Sequence, residues 1–169
     1  MKTEYFDLKN KRALVSGGAS GIGSSIVEHL CGQGVEVYFF DIDKKEAKKT
    51  INRIKKKKFK IPNFVECDIK NIKTYKSLIL SIINKGGPID ILINNASNDQ
   101  RHSLENITEK NWDERMAINL KHYLFAIQSV KKSMVENKSG SIINLGSVSW
   151  VRGAVMFPAY STAKAGIHG

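Results

Sequence analysis

The stretch RALVSGGASGIGSSIVEHL, residues 12–30, decides the fold. Its apolar run over residues 12–17 predicts a buried strand, and the spacing after a glycine-rich turn predicts a helix over residues 21–33. The turn between them contains Gly17, Gly21 and Gly23 in a G-x-x-x-G-x-G spacing. A strand, a tight glycine turn and a helix are typical of the start of a βαβ unit.

The rest of the chain repeats this alternation of apolar strands and helices. Further strands are predicted over residues 35–40, 62–68, 89–95 and 140–147, and helices over residues 43–60, 71–84 and 108–135, with a last helix after a loop that contains Pro158. Five near-continuous apolar strands that alternate with helices predict a parallel sheet covered on both faces. Because parallel crossovers are right-handed, residues 1–169 should form a single doubly wound, Rossmann-like α/β domain, with its ligand beyond the carboxyl ends of the strands.

The composition is that of an ordinary soluble domain. Of the 169 residues, 41% are hydrophobic and 25% are charged, which suits one well-buried domain. No apolar run approaches the about 18 residues that a membrane span needs, which excludes a membrane protein. The N-terminus lacks an apolar leader and there are two cysteines, so we expect a cytoplasmic protein without a disulfide framework.

The net charge of +11 comes largely from lysines in residues 43–60. A basic run can bind nucleic acid, but Phe59 is the one aromatic residue within it and no nucleic-acid motif flanks it. The pattern therefore favours a solvated, lysine-rich helix face, and we expect no nucleic-acid partner.

The glycine turn has the properties of a phosphate-binding turn. Glycine lets the main chain turn tightly and approach a pyrophosphate closely. The helix that follows offers free N–H groups and the positive end of its dipole. The predicted cofactor-binding residues of this turn are Gly17, Ser20, Gly21, Ile22 and Gly23.

An acidic residue at the end of the second strand predicts which dinucleotide binds. Asp41 lies 24 residues after Gly17, where a carboxylate can accept hydrogen bonds from both ribose hydroxyls and would repel a 2′-phosphate. This favours NAD over NADP, although Asp41 can instead cap the next helix, and Lys44 and Lys45 can attract a phosphate. Asp68, beside Ile69, can meet the adenine amino group or act as a cap.

The order of the polar motifs resembles that of the short-chain dehydrogenase/reductase family. The resemblance extends over essentially the whole chain and is carried by Gly17-x-x-x-Gly21-x-Gly23, Asn94-Asn95-Ala96, Asn119, Ser147 and Tyr160-x-x-x-Lys164. Two positions depart from the family pattern. Ser16 replaces the usual threonine before the first glycine, and Ser97 replaces the usual glycine after Asn-Asn-Ala.

The pair Tyr160 and Lys164 points to proton transfer. Residues four apart project from one face of a helix, and an ammonium near a phenol favours the phenolate. The phenol can then take the proton that accompanies hydride transfer. The resemblance implies that Lys164 also holds the nicotinamide ribose, that Ser147 binds the substrate oxygen and that Asn119 holds a water of the proton relay. It also places Asn95 and Ala96 at the cofactor.

A dense polar set, residues 98–102, follows the fourth strand. A polyhydroxylated ligand needs many fixed donors and acceptors, and this stretch resembles the sugar 1-dehydrogenase branch, whose members oxidise aldoses to lactones. The predicted substrate-binding residues are Asn98, Gln100, Arg101, His102, Ser147, Trp150 and Tyr160. Alternatively, the polar residues cap the loop or contact a neighbouring subunit, and Trp150 packs under the loop. His29, His122 and His168 have no ligand spacing, so we predict no metal site.

Two other functions are compatible with this sequence. One is a 3-oxoacyl or other carbonyl reductase of the same family that uses NADPH. The other is a nucleotide-binding fragment with impaired catalysis, because family members continue beyond Tyr160 with further strands, a substrate-covering loop and the helices of a tetramer. The resemblance thus implies that the C-terminal part of the fold is missing, that the fifth strand is an unpaired apolar edge, and that the full-length protein is a homotetramer.

Overall fold

Strands and helices alternate along the chain in the computed structural model, which describes residues 3–169. After a short 3-10 turn at Phe6–Leu8, the elements are β1 (Arg12–Ser16), α1 (Gly21–Gly32), β2 (Glu36–Asp41), α2 (Lys44–Lys56), β3 (Asn63–Glu66), α3 (Ile72–Gly86), β4 (Ile91–Asn94), α4 (Glu109–Met116), α5 (His122–Glu136), β5 (Ser141–Asn144) and α6 (Pro158–Ala165). A π-helical turn, Ala117–Lys121, joins α4 to α5.

The five strands form one parallel sheet in the order β3-β2-β1-β4-β5. This confirms the predicted doubly wound, Rossmann-like fold. The chain reverses its direction across the sheet between β1 and β4, where Val15 pairs with Ile93. The crevice at the carboxyl ends of these two strands is therefore the expected ligand site.

Alternate residues of the central strands face two separate apolar layers. Val15 and Phe39 belong to the cluster that includes Val27 of α1. On the other face, Leu14 and Leu92 pack with the residues of α3 and α5. Because both faces are covered, β1 and β4 are buried at every position, as their continuous apolar runs predicted.

The prediction of burial on both faces is wrong for the two edge strands. Asn63 and Glu66 of β3 are exposed, and all four residues of β5 are exposed. Ile142 is 40% and Ile143 46% exposed. Among the described residues β5 pairs with β4 alone, which agrees with the expected apolar edge.

Two predicted boundaries need correction. The helix predicted over residues 108–135 does begin after Thr108, whose side chain caps it by accepting the Asn111 N–H. Its middle, however, is a π turn rather than regular α-helix. The fifth strand ends at Asn144, so Ser147 lies in the loop that follows rather than at the strand end.

The lysine-rich segment forms α2 and presents its charges to solvent. Ala47, Thr50 and Ile54 are its buried positions, whereas its lysines are exposed. This confirms the predicted solvated face. Cys31 and Cys67 are buried and free. None of the helices in residues 3–169 combines the length and the apolar character that crossing a bilayer requires.

Candidate active site

A cavity of about 680 Å³ opens at the carboxyl ends of the strands, beside the glycine turn. The predicted cofactor residues that line it are Gly17, Ser20, Gly21, Ile22, Gly23, Asp41, Asp68, Ile69, Asn95 and Ala96, and Asn98 of the predicted substrate set lines it as well. Its remaining walls are Phe40, Ile42, Cys67, Lys70, Ser97, Asp99, Glu114 and Ile118. The two other predicted cofactor residues, Tyr160 and Lys164, lie on α6.

The glycine turn is packed so closely that two of its positions exclude any side chain. Gly17 has a φ of +68°, and a Cβ there would lie 2.8 Å from the Cα of Ala96. A Cβ on Gly23 would lie 1.9 Å from the carbonyl oxygen of Gly17. The side chain of Asn95 holds this arrangement by donating to the carbonyl oxygens of Ser16 and Gly17. The turn is therefore a rigid cradle.

The start of α1 borders the cavity and has free donors. The side chain of Ser20, the N-cap residue, makes no capping hydrogen bond. The first N–H groups of a helix have no partner within the helix. The N–H groups of the first turn are thus available to an anion, and a Cβ at Gly21 would meet nothing within 4 Å.

Asp41 lies at the end of β2 with its carboxylate directed to the glycine turn. Its Oδ2 accepts the Ala19 N–H at 2.9 Å, and its Oδ1 accepts the Asp43 N–H at 3.0 Å. Asp43, not Asp41, caps α2 by accepting the Glu46 N–H, so the alternative that Asp41 is the helix cap is wrong. Lys44, a candidate phosphate ligand, is paired with Glu66 at 2.9 Å instead.

Asp68 is not the cap of α3, because Asn71 has that role. Its Oδ1 accepts the Lys70 N–H at 3.0 Å, and its other oxygen lies 3.7 Å from the Lys70 ammonium. That ammonium also lies 3.9 Å from Glu114 of α4. Asp68 therefore lines the cavity in a small charged group, with the carboxylate half exposed.

Ser16 joins the turn to the helix that contains Asn119. Its hydroxyl oxygen accepts the N–H groups of Asn95 and Ala96 at 3.0 and 3.1 Å. Its hydrogen is then left to donate to Nε2 of His122, 3.3 Å away. His122 is 0% exposed, and burial lowers the pKa of its imidazole to about 3. It is neutral at physiological pH and suited to accept that hydrogen.

Lys164 is the most deeply buried of the predicted catalytic residues after Asn119. It is 1% exposed, and its ammonium donates to the Leu145 carbonyl at 2.7 Å and to the Tyr123 hydroxyl at 2.8 Å. The same ammonium lies 5.7 Å from the centroid of the Tyr160 ring. Burial lowers the pKa of Lys164 to about 8. Lys164 thus pairs with the face of Tyr160 and ties α6 to the end of β5.

The loop after β5 brings Ser147 to the same region. Leu145, which accepts from Lys164, precedes Ser147 by two residues. The Ser147 hydroxyl accepts the Ser149 N–H at 3.1 Å, which turns the loop back on itself. On the other side of Tyr160, the ring of Phe157 packs against it with centroids 5.9 Å apart.

Asn119 lies within the π turn and is fully buried. Its Oδ1 accepts the Asn98 N–H at 2.8 Å, and its Nδ2 donates to the Asn98 carbonyl at 3.1 Å. The side chain therefore fixes the loop that follows β4. π turns inside helices are frequent at functional sites, and this one places Asn119 beside the cavity.

The other predicted substrate residues have different surroundings. Gln100 accepts from the Arg115 guanidinium at 2.8 Å, and Arg101 is exposed. Both ring nitrogens of His102 are engaged within the chain, with the Gln100 carbonyl and the Ala159 N–H. Trp150 is 41% exposed, and its ring centroid lies 5.1 Å from that of His168. The alternative in which Trp150 packs under the loop is therefore wrong.

These elements, in this order, are those of one enzyme family. The family model described as short chain dehydrogenase matches residues 11–169. The chain belongs to this family. The resemblance inferred from the motifs is confirmed.

Two of the named relatives are described as sugar dehydrogenases. The D-xylose 1-dehydrogenase of Caulobacter vibrioides is 39% identical over 165 residues, which are 98% of this chain and 64% of that protein. A Rhizobium meliloti protein described as a probable galactose dehydrogenase is 36% identical over 167 residues, 99% of this chain and 65% of that protein. The chain thus spans about 64–65% of the length of these curated relatives.

A solved structure of this family shares the architecture. The crystal structure of a 3-oxoacyl (acyl-carrier-protein) reductase from Agrobacterium tumefaciens C58 with NADP bound matches with a TM-score of 0.87 at 28% identity. The match covers 95% of this chain and 62% of that one. The short-chain dehydrogenase fold is therefore present in these 169 residues through α6.

Several residues of this short-chain dehydrogenase site were not found from the sequence. They are Gly18, whose Cβ would lie 2.5 Å from Phe39, together with His122, Tyr123 and Arg115. Ser16 was noted in the family pattern, but not its hydrogen bonds to Asn95, Ala96 and His122. Gly18 was visible as part of the glycine turn. The others act through contacts between residues far apart in sequence, for which no local spacing gives a signal.

Proposed function

We propose that the chain carries the cofactor-binding and catalytic residues of an NAD-dependent aldose 1-dehydrogenase, which oxidises the C1 hydroxyl of a sugar to give a lactone. The observation that carries the proposal is the buried Lys164 ammonium against the face of Tyr160, on the helix tied to the Ser147 loop. Identities of 36–39% to the galactose and D-xylose dehydrogenases support the aldose as substrate.

The cavity fits a dinucleotide. The cradle formed by Gly17 and Gly23 has no room for a Cβ, while the space beside Gly21 is open, as a pyrophosphate that approaches the main chain requires. The free N–H groups at the start of α1 would hold the pyrophosphate. Asp41 would accept from the ribose hydroxyls, Asp68 and Ile69 would border the adenine, and Asn95 and Ala96 would line the path to the nicotinamide. When bound, NAD supplies the acceptor of the C1 hydride.

In the proposed reaction, side chains of the protein remove the proton of the C1 hydroxyl. Tyr160 takes it as general base, and Ser147 orients the hydroxyl by hydrogen bonding. Lys164 favours the phenolate through its charge and holds the nicotinamide ribose. Asn119 would hold a water of the proton relay. Asn98, Gln100, Arg101 and Trp150 bind the remaining sugar hydroxyls, and Arg101 and Trp150 have the exposure that this requires.

Titration calorimetry and a turnover assay test the proposal. We expect NAD⁺ to bind at the glycine turn and D-xylose or D-galactose to be oxidised with formation of NADH. Oxidation of no aldose in a panel of pentoses and hexoses, under conditions where NAD⁺ binds, would remove the sugar as substrate and leave the cofactor site standing.

The Asp41→Asn variant is expected to shift the cofactor preference toward NADP⁺. Asparagine keeps an oxygen for the Ala19 N–H but removes the charge, together with the acceptor of the exposed Asp43 N–H. Two like charges about 4 Å apart repel by ~1 kcal/mol in water and ~4 kcal/mol near a protein surface. The ratio of NADP⁺ to NAD⁺ affinity should therefore rise by about tenfold or more, measured by calorimetry.

Asp43→Asn is the matched control, because the same change at the α2 cap keeps an oxygen for the Glu46 N–H. Its cofactor preference should equal that of the unchanged protein. If the two variants have the same preference, Asp41 does not face the ribose.

NAD⁺ affinity is expected to fall as the pH rises through about 8. Burial lowers the pKa of Lys164 to about 8, so its charge is present at pH 7 and largely lost at pH 9. A hydrogen bond from a charged donor contributes about 1.5–3 kcal/mol, which predicts about tenfold weaker binding at pH 9. Calorimetry at the two pH values measures it.

The Lys164→Met variant should bind NAD⁺ weakly at both pH values, with little difference between them. An unchanged protein whose affinity is equal at pH 7 and pH 9 would contradict the role of Lys164 at the ribose.

A reductase of the same family that uses NADPH is the second candidate. The solved 3-oxoacyl reductase with NADP bound favours it, whereas Asp41 and the polar set after β4 oppose it. Turnover of aldoses with NAD⁺, compared with turnover of 3-oxoacyl thioesters with NADPH, separates the two. Weak NAD⁺ binding without turnover would favour the third possibility, a nucleotide-binding chain with impaired catalysis.

We also propose a cytoplasmic homotetramer that binds neither nucleic acid nor membrane. The buried free cysteines support the cytoplasm. The exposed apolar residues Trp112 of α4 and Leu124 of α5 support packing between subunits. Light scattering measures the number of subunits in solution.

A further inference from the structure

Helix α6, which presents Tyr160, begins without a cap of its own. Phe157, its N-cap residue, makes no side-chain hydrogen bond, and Pro158 has no N–H. The first donor of the helix is therefore the N–H of Ala159, a residue that is 0% exposed. Leaving a buried N–H without an acceptor is costly, so the start of α6 depends on an acceptor from elsewhere.

His102 provides that acceptor from the loop after β4. Its Nε2 lies 3.2 Å from the Ala159 nitrogen, and its Nδ1 lies 3.0 Å from the Gln100 carbonyl oxygen. A carbonyl oxygen accepts and an N–H donates, so Nδ1 must carry the hydrogen and Nε2 must be bare. A single neutral form of the imidazole satisfies both contacts. The main-chain N–H of His102 adds a third bond, to the Met156 carbonyl at 2.9 Å.

We propose that His102 is a positioning residue that docks the start of α6, and with it Tyr160, onto the loop after β4, and that it does so in its neutral form. Protonation of Nε2 removes the acceptor and places a positive charge at the positive end of the helix dipole. The link is thus present when the imidazole is neutral and is lost when Nε2 is protonated. With both nitrogens engaged, His102 has none left for a sugar hydroxyl.

Other charged groups lie on the elements that meet at His102. They are Asp99, Arg101 and Glu105 in the loop after β4, Arg152 in the loop that contains Met156, Glu109, Lys110, Asp113, Glu114 and Arg115 of α4, and Lys164 of α6. Arg115 donates to Gln100, and Lys164 donates to Leu145. Histidine is the side chain that ordinarily changes its charge between pH 5 and 8. Replacing His102 alone, with all of these groups kept, isolates its effect from theirs.

Thermal unfolding at pH 7.5 and pH 5.5 tests the link with two variants. Glutamine in His102→Gln is long enough to accept from Ala159 and cannot gain a charge, whereas asparagine in His102→Asn is too short. We expect the unchanged protein to lose about 3 °C more in Tm on acidification than His102→Gln. His102→Asn should have the lower Tm at pH 7.5. His29→Gln, an exposed histidine on α1, is the matched control and should keep the pH dependence of the unchanged protein.

Equal losses of Tm in the unchanged protein and in His102→Gln would overturn the link. Nitrogen-15 NMR of the imidazole provides a second measurement. A proton on Nδ1 with a bare Nε2 at pH 7.5 is expected, and a proton on Nε2 would overturn the link as well.

The consequence for catalysis rests on the proposed function. The ratio of kcat at pH 5.5 to kcat at pH 7.5 should be about tenfold higher for His102→Gln than for the unchanged protein. Equal ratios in an active enzyme would refute the positioning of Tyr160 by His102. A Tm difference without any turnover of aldoses would refute the proposed function and leave the link intact.

Discussion

The Tyr160→Phe variant is expected to lose about 10³-fold in kcat for aldose oxidation, because proton transfer by a positioned side chain contributes about 10²–10⁴-fold to a rate. The substitution removes the hydroxyl to which the proposed mechanism assigns the C1 proton. The ring itself is kept, and with it the contact with Phe157 and the position under the Lys164 ammonium. NAD⁺ affinity and Tm should therefore change little. Steady-state turnover and NAD⁺ calorimetry on the same preparation measure the two effects separately.

Tyr5→Phe is the matched control, because Tyr5 is an exposed tyrosine near the N-terminus and far in sequence from the site. It should turn over aldoses at the rate of the unchanged protein. If Tyr160→Phe retains the same rate as Tyr5→Phe, the general base is another group and the proposed mechanism is wrong.

The order of the elements could be predicted from the sequence because the central strands are buried on both faces. The continuous apolar run of β1 predicts a buried strand, and the glycines after it predict a tight turn. The structure agrees with both predictions. The edge strands misled the prediction. Ile142 and Ile143 have the same apolar character as the core of β1, yet they are exposed because β5 has one neighbour among the described residues. The apolar composition of β5 predicts a strand, but it does not show whether that strand lies at the centre or at the edge of the sheet.

The π turn could not be predicted for a related reason. The residues on both sides of it have helical spacing, so the sequence suggests one unbroken helix. The turn contains Asn119, which makes two hydrogen bonds to the main chain of Asn98, a residue 21 positions earlier in another loop. The proposed role of Asn119 comes from the resemblance, whereas its position depends on a contact that local spacing does not encode.

Local spacing predicts one contact of Lys164 but not its other two. The approach of Lys164 to Tyr160 follows from their spacing of four residues on a helix. Its bonds to Tyr123 and Leu145 join residues 41 and 19 positions apart, and they became visible in the structure. These longer contacts hold Lys164 in the interior, and it is the burial that lowers its pKa.

The Gly23→Ala variant is expected to lose NAD⁺ binding and to destabilise the fold by about 3 kcal/mol, the upper end of the usual cost of overpacking a tight core. The added Cβ would lie 1.9 Å from the Gly17 carbonyl oxygen and 2.6 Å from Nδ2 of Asn95. Neither atom can withdraw freely, because Nδ2 of Asn95 is bonded to that oxygen and to the one before it. The turn must open, and the cradle for the pyrophosphate is then lost.

Gly87→Ala provides the matched control for this clash. Gly87 has a φ of +91°, so alanine is strained there, but its Cβ would meet nothing within 4 Å. We expect this variant to lose about 1–3 kcal/mol of stability from backbone strain alone, because its ψ of −172° puts it in a region that is essentially restricted to glycine, and to bind NAD⁺ normally. Urea unfolding and calorimetry on both variants separate strain from clash. Gly87 follows α3 and lies away from the cavity, so its substitution should leave the cofactor site intact. If Gly23→Ala binds NAD⁺ as tightly as Gly87→Ala does, the glycine turn does not hold the cofactor.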